Sequence, residues 1–241
     1  MSSSRSLAFE ALERWRSGTE FADKIVAEIF ARTPLTSPDR AFAFELFYGV
    51  LRNLSLLDFW IGQLRSQPVD PGARDLLRLG LYQLLLIETA AHAAVFETVK
   101  LASRRIRPLI NAVLRRALRE KSRLTTMAEG EPLSVRFSTP AFLIERWLHR
   151  FEPGEVLQLC QWNNRPAPVY ARINRLKTTV AEFLIRYPGS TLMPGSCNFV
   201  TLRDAGTALA AGDCYIQDPS TALACEMLQP APGESVLDAC A

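Results

Sequence analysis

Basic side chains are concentrated in one short part of the chain. Between Lys100 and Arg123, nine Lys and Arg residues accompany a single acid, Glu120, which gives a net charge of +8 over 24 residues. On two successive helices such side chains could line one face and neutralise backbone phosphates, the sequence-independent part of nucleic-acid affinity. The alternative is a solvated helix face with cations near helix C-termini, and the charge density favours RNA contact over it. The candidate residues are Lys100, Arg104, Arg105, Arg107, Arg115, Arg116 and Arg119.

A second group combines amides and guanidinium groups with the aromatic residues Trp162 and Tyr170. Asn can read base edges, Arg can grip a phosphate with two hydrogen bonds, and aromatic rings can stack on unpaired bases. A capped turn leading into an edge strand explains the same composition equally well. The candidate residues are Asn163, Asn164, Arg165, Arg172, Asn174 and Arg175.

Other site chemistries have no support in the sequence. The two histidines, His92 and His149, lie far apart, and the five cysteines contain no C-x-x-C pair, so no metal site is predicted. No nucleophile elbow, phosphate-binding Walker loop, H-E-x-x-H motif or paired carboxylates occur. We therefore predict no catalytic residue in this chain.

Composition is that of a globular protein. The 241 residues are 48% hydrophobic and 22% charged, with a net charge of +3. No apolar run approaches the roughly 20 residues of a membrane span, and no signal-peptide core is visible, so we expect no membrane contact and a cytoplasmic location. Residues 1–125 carry a net charge of +6 and residues 126–241 carry −3, which indicates two parts of different character.

The first part, residues 1–125, is predicted to be an all-α bundle of seven helices. Apolar residues recur at helical spacing throughout it, and Asp70-Pro71 supplies a cap and a first-turn proline for a central helix with almost no polar face. Residues 126–138, which contain Gly130 and Pro132, are predicted to be a linker.

The second part, residues 139–230, is predicted to be a small α+β region. Strands are expected at residues 169–174, 199–202 and 214–217, and a helix at residues 179–186. Residues 231–241 end in Val236-Leu237-Asp238-Ala239-Cys240-Ala241, which is typical of the first strand of a Rossmann-like domain. A buried parallel strand needs neighbours, so we expect this chain to be cut from a longer protein.

Several motifs resemble one protein family. "YGVLR", "LRLGLYQLLL", "HAAVFETVKLA" and "INAVLRR" resemble the NusB-like N-terminal domain of the Sun/Fmu-type bacterial 16S rRNA (cytosine-5-)-methyltransferases. "NNRPAPVYARIN", "QDPS" and the final "VLDACA" are similar to the pre-catalytic region and the opening of the methyltransferase domain of that family. The resemblance covers essentially the whole chain in the expected order.

The resemblance implies methyl transfer from S-adenosyl-L-methionine to cytosine in 16S rRNA by a pair of catalytic cysteines. Those cysteines lie downstream of the "VLDACA" motif, and none of the five cysteines here occupies such a position. Only Cys240 and Ala241 of the implied cofactor loop are present, so we expect this chain not to bind the cofactor by itself.

The resulting prediction is the RNA-binding N-terminal part of such a methyltransferase, catalytically incomplete, with 16S rRNA as partner. The alternative is a stand-alone NusB-type adaptor between RNA and proteins in transcription antitermination or ribosome assembly. A helix-turn-helix DNA binder is disfavoured because Pro108 interrupts the basic helices, so DNA is not an expected partner. Protein partners are left open.

Overall fold

The computed structural model describes residues 3–202 and 205–239. The chain divides into two compact units, Met1–Arg165 and Pro166–Ala241. Within the described residues, no helix is both long and apolar enough to cross a bilayer.

The first unit is helical, as predicted. A π-helical turn at Tyr82–Leu86 extends the helix at Pro71–Leu81. The helices are α1 (Ser4–Arg16), α2 (Ala22–Arg32), α3 (Ser37–Arg52), α4 (Leu54–Leu64), α5 (Pro71–Leu81), α6 (Ala91–Leu101), α7 (Arg107–Arg119), α8 (Lys121–Glu129), α9 (Leu133–Arg136), α10 (Ala141–Leu148) and α11 (Pro153–Asn163).

Helix α5 is the centre of the bundle. The Asp70 carboxylate accepts a hydrogen bond from the Ala73 N–H at 3.0 Å, which caps the helix start. Seven of the eleven residues of α5 are buried, as expected for a helix covered on all sides. A Cβ at Gly80 would lie 2.6 Å from the methyl groups of the buried Leu114, so glycine permits the close approach of α5 and α7.

The interval 126–138 differs from the expected linker because it contains the end of α8 and all of α9. Ala128 is buried in the bundle core, and α8 and α9 both pack against α4. The Ser138 hydroxyl accepts the Ser55 N–H at 3.0 Å and so caps the start of α4. These contacts join residues 126–138 to the helical unit, which continues through α10 and α11 to Arg165.

The second unit contains an antiparallel sheet whose strands lie in the order β2 (Ser190–Leu192), β3 (Phe199–Leu202), β1 (Val169–Ile173) and β4 (Cys214–Ile216). Its core includes Ala171, Val200 and Phe183, all fully buried. The predicted strands and the helix at residues 179–186 are present, and β2 and α13 are additional. The elements are β1 (Val169–Ile173), α12 (Val180–Arg186), β2 (Ser190–Leu192), β3 (Phe199–Leu202), α13 (Gly206–Ala211), β4 (Cys214–Ile216), a 3-10 turn (Pro219–Thr221) and α14 (Ala222–Leu228).

The strand expected within residues 231–241 is not formed in its described part. Residues 234–239 belong to no helix or strand, and the side chains of Val236 and Leu237 are 58% and 87% exposed. A parallel strand requires neighbours on both edges and cover on both faces, and no described residue supplies them. Cys240 and Ala241 lie outside the described residues.

Candidate RNA-binding surface

Helices α6 and α7 carry the basic cluster and are held by the bundle core. Ala94 and Val95 of α6 and Ile110 and Leu114 of α7 are buried, so the opposite faces of both helices point to solvent. We call the cations of the outer faces and of the turn between the two helices the basic surface. These cations differ in the groups that their side chains contact. The basic surface comprises Lys100, Arg104, Arg105, Arg107, Arg115, Arg116 and Arg119.

Two members of the basic surface are bound to helix ends. Arg107 Nε donates to the carbonyl of Ala102 at 2.9 Å, just after the end of α6. Arg116 Nη1 donates to the carbonyl of Leu64, the last residue of α4, at 2.8 Å. Cations at these positions satisfy carbonyls that the helix leaves unpaired. Arg107 and Arg116 therefore stabilise the fold.

Two further members make contacts along their own helices. Lys100 donates to Glu97 at 3.0 Å and lies 4.3 Å from the centre of the Phe96 ring. Arg115 Nε donates to the Asn111 side-chain oxygen at 3.0 Å. Both side chains remain exposed, and each keeps donors for a ligand.

Three arginines of the basic surface are exposed, and their side chains have no hydrogen bond or ion pair with any described residue: Arg104, Arg105 and Arg119. Arg104 and Arg105 occupy the turn before α7, and Arg119 is the last residue of that helix. An exposed guanidinium without an internal partner can bind a phosphate, and this binding breaks no ion pair within the protein. We call these three residues the free arginines.

A groove of about 300 Å³ lies between α6 and α7, beside the basic surface. Phe96 forms part of its wall and is 49% exposed, and His92 stacks on the Phe96 ring at 5.7 Å between centres. No pattern in the sequence predicts this α6–α7 groove, because its walls come from two helices. Its lining is Ala91, His92, Val95, Phe96, Val99, Asn111, Arg115 and Leu118.

In the polar group at the end of α11, Asn164 has a structural role. The Asn164 amide donates at 3.0 Å to the side-chain oxygen of Asn53, and the Asn53 amide in turn donates to the Gly49 carbonyl at 2.8 Å. Asn164 thus fastens α11 to the junction of α3 and α4. Asn163 and Arg165 are exposed, and their side chains have no partner among the described residues.

Of the remaining candidates, Arg172 lies in β1 of the second unit, and Asn174 and Arg175 directly follow that strand. Asn174 is buried, and its amide donates to the Gly212 carbonyl at 3.0 Å and to the Tyr215 hydroxyl at 3.2 Å. Arg172 lies opposite Tyr215 across β1 and β4, with its guanidinium 5.8 Å from the ring centre. Asn174 therefore positions Tyr215, a half-exposed aromatic residue that the sequence analysis did not select. Arg175, the residue after Asn174, is exposed. Its side chain has no partner among the described residues.

Comparison with known proteins identifies the helical unit. Residues 2–119 match the model of the NusB family. The first unit contains a NusB domain. All seven residues of the basic surface lie within it. Residues 139–187 match a second model, the RsmF/B-like methyltransferase ferredoxin-like domain.

The curated relatives compared with this chain have the same function in their names. A probable ribosomal RNA small subunit methyltransferase B from Synechocystis is 31% identical over all of this chain and 58% of its own length. Ribosomal RNA small subunit methyltransferase B from Pseudomonas putida is 33% identical over 84% of this chain and 50% of its length. The chain thus spans about half the length of the curated relatives that it matches.

A solved structure shares the fold. The crystal structure of PH0851 matches 96% of this chain and 56% of its own chain, with a TM-score of 0.59 and 18% sequence identity. At this identity the match supports the fold alone, and no conclusion about chemistry follows from it.

The buried cysteines of the two units, Cys160 in the first and Cys214 in the second, are not reactive thiols. Burial raises the pKa of the Cys160 thiol and of the Cys214 thiol, which keeps both protonated near neutral pH. Among the described residues, no three His, Cys, Asp or Glu side chains are grouped to hold a metal ion.

The described end of the chain does not fit S-adenosyl-L-methionine. A cofactor of this kind is held at the carboxyl end of a buried parallel strand, and residues 234–239 form no strand. The exposed Val236 and Leu237 side chains provide no enclosed wall.

Proposed function

We propose that this chain is the RNA-binding, N-terminal part of an S-adenosyl-L-methionine-dependent 16S rRNA cytosine-5 methyltransferase of the cytoplasm. The observation that carries the RNA-binding function is the set of free arginines on the NusB domain, exposed and without an internal partner. The names of the relatives support ribosomal RNA as the substrate class.

The free arginines would contact the rRNA backbone. Each guanidinium offers a planar fork of donors to phosphate oxygens, and such contacts fix the position of the RNA without reading its sequence. In the second unit, the Tyr215 ring and Arg172 would offer a stacking contact to an unpaired base. The chain would hold RNA, and methyl transfer would depend on residues other than those described.

The ferredoxin-like match favours this function over a stand-alone adaptor, because an adaptor built on a NusB domain has no need of residues 139–187. We expect the 241-residue chain alone not to methylate rRNA. Complementation of a strain that lacks the enzyme tests this expectation, and methylated rRNA in that strain would refute it.

The direct test compares two triple variants for binding to 16S rRNA segments. Replacing Arg104, Arg105 and Arg119 by Gln should weaken the affinity about tenfold or more at low salt. The matched control replaces Arg74, Arg146 and Arg150 by Gln. These three are also exposed, and their side chains have no partner among the described residues. Equal weakening by both variants would mean that only net charge matters, and the proposed surface would be wrong.

A further inference from the structure

The α6–α7 groove combines an apolar floor with polar and cationic walls. Val95, Val99 and Leu118 line it together with the aromatic pair Phe96 and His92. Its volume of about 300 Å³ lies at the lower end of the range of small-ligand sites. The groove therefore suits one flat, partly apolar group rather than a long ligand.

The opposite wall is built by one stripe of α7. Asn111, Arg115 and Arg119 follow one another at i, i+4 spacing and so lie on one face of the helix. Arg115 Nε donates to the Asn111 oxygen at 3.0 Å, so the Asn111 amide N–H₂, which has no partner among the described residues, remains available as a donor. The stripe thus offers hydrogen-bond donors at the groove and a free arginine one turn beyond it.

The charge around the groove selects a ligand that carries phosphate. Arg115 lines the groove, and the Lys100 ammonium lies 4.3 Å from the centre of the Phe96 ring in its wall. Arg119 follows Arg115 by one turn of α7. The acid beside Lys100, Glu97, is paired with it at 3.0 Å. An uncharged apolar peptide would gain nothing from these cations. A nucleotide would use both features, since its base is flat and its phosphates are anionic.

We propose that the α6–α7 groove holds one unpaired nucleobase of the bound RNA, stacked against Phe96 and hydrogen-bonded by the Asn111 amide, with the adjoining phosphates at Arg115 and Arg119. This inference rests on the proposed RNA-binding function and deepens it. The ammonium of Lys100 now lies over the Phe96 ring. The contact of an exposed ammonium with a ring is weaker than base stacking, so the base displaces Lys100 toward a phosphate.

The test uses a short single-stranded RNA that carries 2-aminopurine, whose fluorescence is quenched on stacking, and the same strand paired with its complement. Phe96→Leu keeps an apolar side chain and removes the aromatic face. We expect about tenfold weaker binding of the single strand, loss of the quenching, and unchanged binding of the duplex. Phe96→Tyr should restore both the affinity and the quenching.

A matched control and a second variant make the result specific. Phe142→Leu changes another exposed aromatic residue, 65% exposed on α10, and should leave both RNAs bound as in the wild type. Asn111→Asp retains the acceptor for Arg115 and removes the amide donor, so single-strand affinity should fall several-fold.

The outcomes separate this inference from the proposed function. If Phe96→Leu binds the single strand as the wild type does while the free-arginine variant is weakened, the base site is refuted and the RNA-binding function stands. If neither variant is weakened, the proposed function itself is refuted. An unchanged RNA affinity together with binding of an apolar peptide in the groove would also refute the base site.

Discussion

Arg116 of α7 donates to the main-chain carbonyl of Leu64 at 2.8 Å and so closes the end of α4. Three residues further along the same helix, Arg119 is exposed and has no side-chain partner among the described residues. Arginines that are near neighbours in the sequence thus have different roles. One stabilises the bundle, and the other remains available to a ligand.

This division predicts opposite phenotypes for the two residues. Arg116→Ala removes a charge-assisted hydrogen bond from a helix end and should lower the free energy of unfolding by about 1 kcal/mol, measured by urea denaturation. Arg119→Ala should change the stability by less than about 0.5 kcal/mol and should weaken RNA binding. A stability loss at Arg119 equal to that at Arg116 would contradict the assignment.

Replacing two glycines of the bundle by alanine should change the free energy of unfolding in opposite directions. At Gly80, a Cβ would meet Leu114 at 2.6 Å inside the core, so Gly80→Ala should destabilise the protein by about 1 to 3 kcal/mol. At Gly62, in α4, nothing lies within 4 Å of the added atom. Gly62→Ala should therefore stabilise the protein by about 0.5 to 1 kcal/mol. Thermal denaturation of the two variants tests both, and the same sign for both would contradict the packing described.

A buried carboxylate joins α1 and α5. Asp75 accepts hydrogen bonds from Arg16 at 2.7 Å and from Arg78 at 2.9 Å, and its side chain is 2% exposed. Asp75→Asn would replace the buried carboxylate that Arg16 and Arg78 share by a neutral amide, which weakens both charge-assisted hydrogen bonds and should cost about 2 to 3 kcal/mol. Asp58→Asn is the matched control, since Asp58 pairs with Arg78 at 35% exposure. It should cost less, and a larger loss at Asp58 in urea denaturation would overturn this ranking.

The second unit should lose stability in acid through Asp213. Hydrogen bonds from Tyr187 at 2.8 Å and Arg186 at 2.6 Å hold the pKa of the Asp213 carboxyl below its usual range. Because the folded pKa lies below the unfolded one, near 4, this contribution is complete above about pH 4 and disappears as the pH falls through the folded value. Urea unfolding followed by NMR signals of β1 and β4 at several pH values measures it. Asp213→Asn should flatten this acid dependence, and an unchanged pH profile would contradict the assignment.

Local patterns in the sequence were sufficient for much of the fold. The apolar stripe of α5 and its Asp70 cap are local features, and the structure confirms both. No Gly or Pro marks the break between α7 and α8 at Glu120, so no local pattern predicts it. The strand β2 was missed because it has three residues and pairs only at the sheet edge.

The location of the candidate site was predictable from the sequence. Which of its residues stabilise the fold and which remain available to a ligand was not. Charge density located the basic surface, since nine cations in 24 residues are visible without a fold. The role of Arg116 depends on Leu64, 52 residues away, and that of Asn164 on Asn53, 111 residues away. Contacts at such separations arise from packing, which no local pattern encodes.

The salt dependence of RNA affinity tests the central claim most directly. On single strands, the logarithm of the binding constant falls with the logarithm of salt concentration by about 0.7 for each phosphate contact. Replacement of Arg104, Arg105 and Arg119 by Gln should therefore reduce this slope by about 2 relative to the wild type, whereas the variant at Arg74, Arg146 and Arg150 should keep the wild-type slope. Identical slopes for all three proteins would contradict the assignment of the free arginines to RNA.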